Sequence, residues 1–176
     1  AAESLGSTRA GMPTGSFAPL SALSFNGNKI VTTGGGGAVL ARDPDTARLA
    51  KHLTTTAKLP HAYRYEHDQV GFNYRLPNLN AAMGVAQLEQ LPKFLRKKRG
   101  LAVAYERAFA GVPEVLFVRE PPNTESNYWL CTLQLHSATK SERDAVIEAC
   151  IRRGIMARPP WTLLCDLPMY VNCPRS

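Results

Sequence analysis

The feature that most constrains the fold is a run of four glycines, Gly34–Gly37, between two short segments rich in β-branched and apolar residues. Glycine reaches backbone angles that other residues avoid, so this run favours a tight reversal of the chain. With Ile30–Thr33 before it and Ala38–Arg42 after it, the pattern predicts a β-hairpin. Ser21–Phe25 is predicted to form an earlier strand. A phosphate-binding loop is the alternative, but the glycines lack both a GK[ST] ending and the GxGxxG spacing.

Helical patterns occupy three other parts of the chain. Asp43 followed by Pro44 predicts a helix start, because an aspartate caps free N–H groups and proline is tolerated in the first turn. Apolar residues at helical spacing predict a long helix over 78–109 with a bend at Pro92, and a further helix over Ser141–Arg153. These helices leave residues between them that follow no helical period.

The segment 54–77 is such a stretch, and it is unusually aromatic for a loop. Long ordered loops in compact proteins tend to be functional. Its two histidines, His61 and His67, have no third ligand nearby, so we expect them at the loop surface or at the rim of a substrate site, and expect no metal.

The last third of the chain changes character. Three strands are expected there: Val115–Val118, Tyr128–Leu135 and Ile155–Arg158. Together with the helix before Gly154 they suggest a small α+β unit, with a boundary near Gly100. Trp129 and Trp161 are predicted to pack in its core, and a position beside a substrate is the alternative for Trp161.

Composition and charge narrow the classes of function. The proportions of 44% hydrophobic and 20% charged residues are those of a globular protein. No apolar run approaches the roughly 18 residues of a membrane span, so we expect no membrane contact. The net charge of +7 raises the alternative of nucleic-acid binding. The densest basic run, between Lys93 and Arg99, fits a solvated helix face better, and we expect no nucleic acid as a partner.

The cysteines give an expectation about the compartment. None of the four has the CxxC spacing of a metal or redox site. We therefore expect reduced, mostly buried thiols, as in a cytoplasmic protein.

Lys29 is the residue whose setting indicates chemistry. It follows Ser24, at the end of the predicted strand, by five residues, and the glycine run lies on its other side. An amine that forms a Schiff base needs rigid support, partial desolvation and a nearby anchor for its cofactor. Spacing alone does not distinguish such a lysine from a surface lysine in a turn.

Three segments carry a resemblance to a known family: AAESLGS with SFNGNKIVTTGGGGAVLA, then HDQVGFNYRLPNLNAAMGVAQLEQL, then MARPPWTLLCDLPMY. They resemble the nucleotide-sugar aminotransferases of the DegT/StrS type over most of the chain. Among these, the chain looks most like enzymes that aminate UDP-linked 4-keto-6-deoxy-N-acetylhexosamines of the legionaminic-acid or bacillosamine kind. The resemblance implies an α/β fold of the fold-type-I class that uses pyridoxal 5'-phosphate. Residues 1–99 would be the C-terminal part of the large cofactor domain with its connecting helix, and residues 100–176 a truncated small domain.

The resemblance also implies roles for individual residues. Lys29 would carry the cofactor covalently and transfer the proton during the reaction. Ser24 would donate a hydrogen bond to the cofactor phosphate, and Asn73 would reach that phosphate from the other subunit of a homodimer. Glu3 would lie near the ring and hydroxyl of the cofactor. Arg75 would face the substrate or the neighbouring subunit.

The implied reaction is transamination of a nucleotide-linked 4-keto-6-deoxy sugar, with an amino acid, expected to be glutamate, as the donor. Such enzymes make amino sugars for surface polysaccharides or glycans. One alternative is a sugar dehydratase of the same fold, which Lys29 disfavours because such enzymes carry histidine there. Another alternative is a non-catalytic or truncated regulatory protein of the family.

One element of the family pattern is absent from the sequence. An aspartate that pairs with the pyridine nitrogen immediately precedes the position of Ala1 in the family. We expect that both ends of the chain are cut and that these residues alone are an incomplete, inactive fragment.

Overall fold

The fold is described from a computed structural model that covers residues 1–174. Its strands are β1 (Thr8–Arg9), β2 (Met12–Pro13), β3 (Leu20–Ser24), β4 (Gly37–Ala41), β5 (Val115–Phe117), β6 (Thr124–Glu125) and β7 (Leu133–Leu135). Its α-helices are α1 (Pro44–Thr54), α2 (Asn78–Glu89), α3 (Leu91–Phe109) and α4 (Lys140–Arg152). Two short 3-10 helices, Leu164–Asp166 and Pro168–Tyr170, follow.

The hairpin of the first part pairs β3 with β4, in antiparallel register from Leu20 opposite Ala41 to Ser24 opposite Gly37. The predicted strand Ser21–Phe25 is confirmed as β3, and it is itself the first strand of this hairpin. The prediction that Ile30–Thr33 is a strand is wrong, because those residues belong to the connection between β3 and β4. The true hairpin therefore has a much longer connection than a glycine turn.

That connection folds back on the end of β3 instead of extending the sheet. The N–H of Phe25 donates to the carbonyl of Gly36, and the N–H of Thr33 donates to the carbonyl of Phe25. Val31 and Thr33 are each only 1% exposed. A short apolar segment has the same sequence pattern whether it is a strand or a buried loop, which is why the prediction failed. Gly36, at φ +98, supplies the left-handed conformation that closes the loop.

The start of α1 is as predicted. The carboxylate of Asp43 accepts a hydrogen bond from the N–H of Thr46 at 2.7 Å, with Pro44 in the first turn. This hydrogen bond and a second from the Thr46 hydroxyl lower the pKa of Asp43 below its ordinary value. The cap fixes where the chain leaves β4.

Helix α2 packs against the connection between β3 and β4. The side-chain amide of Asn80 donates to the carbonyl of Thr33 at 2.5 Å. Gly84 is the buried residue of α2, and a Cβ there would lie 3.0 Å from the methyl group of Thr33. The absence of a side chain at Gly84 therefore lets the helix approach. The long helix predicted over 78–109 is divided into α2 and α3 at Gln90, the cap shared by the two helices, two residues before the predicted bend at Pro92.

The predictions for the last third of the chain are confirmed in part. Strands β5 and β7 pair antiparallel, and α4 begins with a capping box between Thr139 and Glu142. The predicted strand Tyr128–Leu135 is reduced to its last three residues, and Ile155–Arg158 is not a strand. No later strand within residues 1–174 is available to pair with Ile155–Arg158.

A small sheet joins the first residues of the chain to its last third. Its strand order is β2-β1-β6, with Thr8 opposite Glu125 and Arg9 opposite Thr124. This pairing crosses the expected boundary near Gly100, and α3 passes through Gly100 without a break. The division into two domains stays a prediction.

An ion pair between Arg99 and Glu120 holds the segment before β6 to α3. Both terminal nitrogens of Arg99 lie 2.8 Å from the Glu120 carboxylate, and Arg99 also donates to the carbonyl of Ser126 at 2.8 Å. Arg99 is the last residue of the basic run that was predicted to be solvated, so this member has a structural partner instead. Its hydrogen bond lowers the pKa of Glu120 from the ordinary value of 4.5.

Replacing Glu120 with glutamine should lower the free energy of unfolding at pH 7 by about 1 kcal/mol, since the pair is partly exposed. The folded-state pKa of Glu120 is depressed, so its contribution is present above the unfolded value and is lost as pH falls through the folded value. Urea unfolding of Glu120→Gln and the parent should therefore differ at pH 7, and the difference should shrink as the pH is lowered through the folded-state pKa of Glu120. Glu89→Gln, an exposed change on α2, is the control, and a pH-independent difference for Glu120→Gln would contradict the account.

Candidate functional site

Lys29 lies in a turn directly after β3. Its N–H donates to the carbonyl of Asn26 at 3.0 Å, which closes the turn Asn26–Lys29. The Lys29 side chain is only 13% exposed. Because a lysine is rarely withdrawn from water without a partner, this burial calls for specific contacts at its amine.

Two contacts hold the amine of Lys29. Its Nζ atom lies 2.9 Å from Oε1 of Glu3 and 4.0 Å from the centroid of a Trp129 ring. The first is an ion pair with a hydrogen bond, and the second is a cation–π contact. Glu3 was predicted to lie near the cofactor, and the structure brings it directly to Lys29. Trp129, predicted to be core, has one ring face against the lysine.

Trp129 is itself fixed to the turn that carries Lys29. Its indole Nε1–H donates to the carbonyl of Asn28 at 2.6 Å, and its backbone N–H donates to Oδ1 of Asn127 at 2.9 Å. The ring also stacks on Trp161, with centroids 6.0 Å apart and planes tilted by 16°. Trp161 is 59% exposed, so the prediction that it packs in a core is wrong, and its alternative position beside a substrate stays a prediction.

Asn127 is a functional candidate that the sequence did not reveal. It is 4% exposed, and its amide nitrogen donates to the carbonyls of Glu3 and Leu5 at 2.9 and 3.0 Å. Its backbone N–H donates to the hydroxyl of Ser7 at 2.9 Å. Asn127 thereby fixes the backbone of the residue that pairs with Lys29. These partners lie more than 100 positions away, and no local pattern marks such a residue.

Ser24 lies close to Lys29, at the end of β3. Together with Glu3, Lys29 and Asn127 it lines a narrow cavity of about 10 Å³, which has room for about one water molecule. The Ser24 hydroxyl oxygen accepts a 3.4 Å hydrogen bond from the N–H of Asn26. Within residues 1–174 this hydroxyl donates to no acceptor, so its proton is available for a ligand.

Asn73 and Arg75 lie in the aromatic loop, away from the Lys29 group. Asn73 forms an isolated antiparallel bridge with Thr55, and Arg75 donates to the Thr55 carbonyl at 3.4 Å. Over the described part of the chain neither residue contacts Lys29 or Glu3. One chain therefore assembles three of the five predicted site residues and leaves two exposed elsewhere.

Three further observations concern metal ligands, membrane helices and thiols. No group of three or more potential metal ligands occurs among residues 1–174. No helix in that range has the length and apolar character needed to cross a membrane. Within it the cysteines form no disulfide, but three are half-buried and Cys173 is exposed, so the prediction of mostly buried thiols is wrong. Burial raises the pKa of the Cys131 thiol.

Comparison with known proteins identifies the family. Residues 1–175 match the DegT/DnrJ/EryC1/StrS aminotransferase family. The chain belongs to this family. The resemblance inferred from the sequence is thereby confirmed.

Relatives and solved structures agree with this assignment. The GDP-perosamine synthase of Vibrio cholerae is 35% identical over 96% of this chain and 46% of that protein. The UDP-4-amino-4,6-dideoxy-N-acetyl-beta-L-altrosamine transaminase of Helicobacter pylori is 26% identical over 94% of this chain and 44% of that protein. Spr1654 of Streptococcus pneumoniae, solved in its PLP form, has a TM-score of 0.88 at 25% identity, over 98% of this chain and 45% of that one.

These similarities confirm the predicted fold-type-I class. The chain spans less than half the length of the relatives that it matches.

The functional groups around Lys29 match the chemistry of a pyridoxal phosphate group. The donor set combines a shielded primary amine, a carboxylate and a serine hydroxyl with a free proton. An amine can bond a cofactor aldehyde, and a hydroxyl can donate to a phosphate oxygen. The chemistry of the set therefore agrees with the cofactor of the family.

The role of Asn127 can be tested with an isosteric change. Asn127→Asp keeps the oxygen that accepts from Trp129 but places a second acceptor against the carbonyls of Glu3 and Leu5. We expect a loss of about 2 kcal/mol in the free energy of unfolding, because two partly buried carbonyls lose their donor and face a second acceptor. Urea unfolding measures the loss, and hydrogen exchange should show faster exchange around Ser7.

The matched control is Asn172→Asp, an exposed asparagine near the end of the described chain. It should leave both readouts unchanged. An effect of Asn127→Asp no larger than that of the control would mean that Asn127 does not fix the Glu3 segment.

Proposed function

We propose that this chain carries the cofactor-attachment part of a pyridoxal-phosphate-dependent aminotransferase. The observation that carries the proposal is Lys29, a lysine with 13% exposure in a rigid turn, held between a carboxylate and an indole face. A surface lysine in a turn would be solvated and mobile. The ordered amine of Lys29 is instead placed for a covalent bond with a defined direction.

The bound cofactor supplies the electron sink that the reaction needs at the substrate carbon next to nitrogen. The residues of the chain would hold it and transfer the proton. Lys29 would hold the cofactor covalently until the amino group of the donor displaces its Nζ atom, and the released amine would then move the proton at the reacting carbon. Ser24 would donate to the phosphate, and Glu3 would lie beside the ring and its hydroxyl.

The indole of Trp129 would exclude water from one side of the Lys29 amine. Its hydrogen bond to Asn28 ties it to the residue next to Lys29, so indole and amine keep a fixed relation. Exclusion of water strengthens the electrostatic contacts of the amine and limits hydrolysis of the covalent link.

Asn73 and Arg75 would complete the site of a second subunit in a homodimer. The lack of contacts from Asn73 and Arg75 to Lys29 or Glu3 among the described residues and the exposure of their loop support this part of the proposal. Tyr63, Tyr65 and Tyr74 are 75, 80 and 72% exposed. So much exposed aromatic surface is typical of a protein interface. Asn73 would then reach the cofactor phosphate of the partner.

The proposed substrate is a nucleotide-linked 4-keto-6-deoxy sugar, and the proposed amino donor is glutamate. Support comes from the named activities of the relatives, which act on GDP- and UDP-linked amino sugars. The product would enter the biosynthesis of a surface polysaccharide or glycan, in the cytoplasm. A positively charged chain suits a substrate that carries a diphosphate.

In the full-length protein, Lys29→Ala should abolish both the visible absorbance of bound cofactor and sugar amination. The matched control is Lys58→Ala, because Lys58 also lies over an aromatic ring, 3.7 Å from the Tyr65 centroid. That variant should keep its absorbance. Spectra and product formation with glutamate and a panel of UDP-, GDP- and dTDP-linked keto sugars measure the outcome. Full absorbance and turnover in Lys29→Ala would overturn the assignment.

Mixing two weakened proteins tests the shared site. If Lys29 and Asn73 come from different subunits, exchange between Lys29→Ala and Asn73→Ala dimers should create some sites with both residues intact. Activity should then rise on mixing, up to about a quarter of the parent value if subunits combine at random. The control mixture of Lys29→Ala with Lys29→Ala should stay inactive. No rise, with exchange verified by mass, would place Asn73 in its own subunit's site or outside any site.

A further inference from the structure

Arg158 is an exposed arginine whose position is fixed by an aromatic ring. Its guanidinium carbon lies 3.9 Å from the centroid of a Trp161 ring. In residues 1–174 no carboxylate forms an ion pair with Arg158, whereas Arg119 and Arg143 pair with acidic residues. Among the described residues, the partner of Arg158 is thus an indole face, which takes up none of its N–H groups.

This arrangement leaves the donors of Arg158 available. A guanidinium that lies over a ring directs its N–H groups outward in its own plane. Planar donors of this kind match the oxygens of a phosphate, often two at a time. Arg158 is therefore an ordered, unpaired cation with a geometry suited to an anion.

A continuous stack connects Arg158 to Lys29. Lys29 lies over Trp129, Trp129 stacks on Trp161, and Trp161 carries Arg158, with distances of 4.0, 6.0 and 3.9 Å. The two stacked indoles therefore link one amine and one guanidinium through a continuous series of ring contacts.

The exposure of Trp161 is consistent with a ligand beside the stack. It is 59% exposed although it is a large apolar side chain. It keeps this exposure although it contacts both Trp129 and Arg158. An exposed aromatic beside a free cation is typical of a binding surface.

We propose that Arg158, held on Trp161, binds the diphosphate of the substrate, while Lys29 at the other end of the stack faces the reacting end. This inference rests on the proposed aminotransferase function and adds a residue for the charged part of the substrate. Arg158 is a binding residue, and Trp161 is the residue that positions it. Both lie in the segment after α4, which the fold leaves without regular secondary structure up to Leu164.

Tryptophan fluorescence is a direct probe of the stacked indoles. The chain's two tryptophans are Trp129 and Trp161, so tryptophan fluorescence reports on the stack alone. The 176-residue chain is titrated with UDP, with inorganic pyrophosphate and with uridine, and emission is followed. UDP and pyrophosphate should change the emission in a saturable way and compete with each other.

Arg158→Gln should raise the dissociation constants of UDP and pyrophosphate by at least about tenfold, because a charge-assisted pair of hydrogen bonds is lost. The response to uridine, which carries no phosphate, should not change. The matched control is Arg153→Gln, an exposed arginine at the end of α4 that donates to the Ala149 carbonyl. It removes the same charge and should stay within about twofold of the parent. Trp161→Phe should bind with intermediate affinity, since a ring still supports Arg158.

Equal dissociation constants for Arg158→Gln and Arg153→Gln would overturn the inference, and so would a parent chain that binds neither UDP nor pyrophosphate. Each variant is also treated with pyridoxal phosphate and borohydride to measure covalent attachment at Lys29. If pyridoxal phosphate does not label Lys29 in the parent chain but UDP binding still depends on Arg158, the proposed cofactor role is refuted and the anion site is supported. Normal attachment with Arg158-independent UDP binding would refute the anion site alone.

Discussion

The amine of Lys29, held between the carboxylate of Glu3 and the indole of Trp129, is the interaction on which the site depends. It joins three parts of the chain that are far apart in sequence. The turn after β3 supplies the lysine, the first residues supply the acid, and the segment after β6 supplies the indole. Asn127, in the segment after β6, binds the carbonyls of Glu3 and Leu5, so the position of the acid that pairs with Lys29 follows from tertiary structure.

Support for that arrangement comes from elements that touch no cofactor residue. The Arg99–Glu120 pair fixes the segment that leads to Asn127 through the Ser126 backbone. Helix α2 holds Thr33 in the connection between β3 and β4. Both sets of hydrogen bonds restrict the conformations of a loop. Such restriction lets a protein hold a reactive group in place on a segment without regular secondary structure.

The features that depend on residues close together in the sequence were predicted correctly. The cap at Asp43, the helices α2 to α4 and the closeness of Ser24 to Lys29 follow from propensity, capping and spacing, and family resemblance added Glu3. The buried loop Ile30–Thr33 was mistaken for a strand because both conformations bury the same side chains. The partners of Asn127 and the stack of Trp129 on Trp161 could not be predicted, because they depend on long-range contacts that leave no period or motif in the sequence.

The most direct test of this account is to locate the covalent link itself. The chain is incubated with limiting pyridoxal phosphate, reduced with borohydride and digested, and the labelled peptides are identified by mass spectrometry. The account predicts that the label lies on Lys29 in preference to exposed lysines such as Lys51, and that Glu3→Ala weakens this preference. A label distributed over the lysines according to their exposure would contradict it, because Lys29 is among the shielded ones.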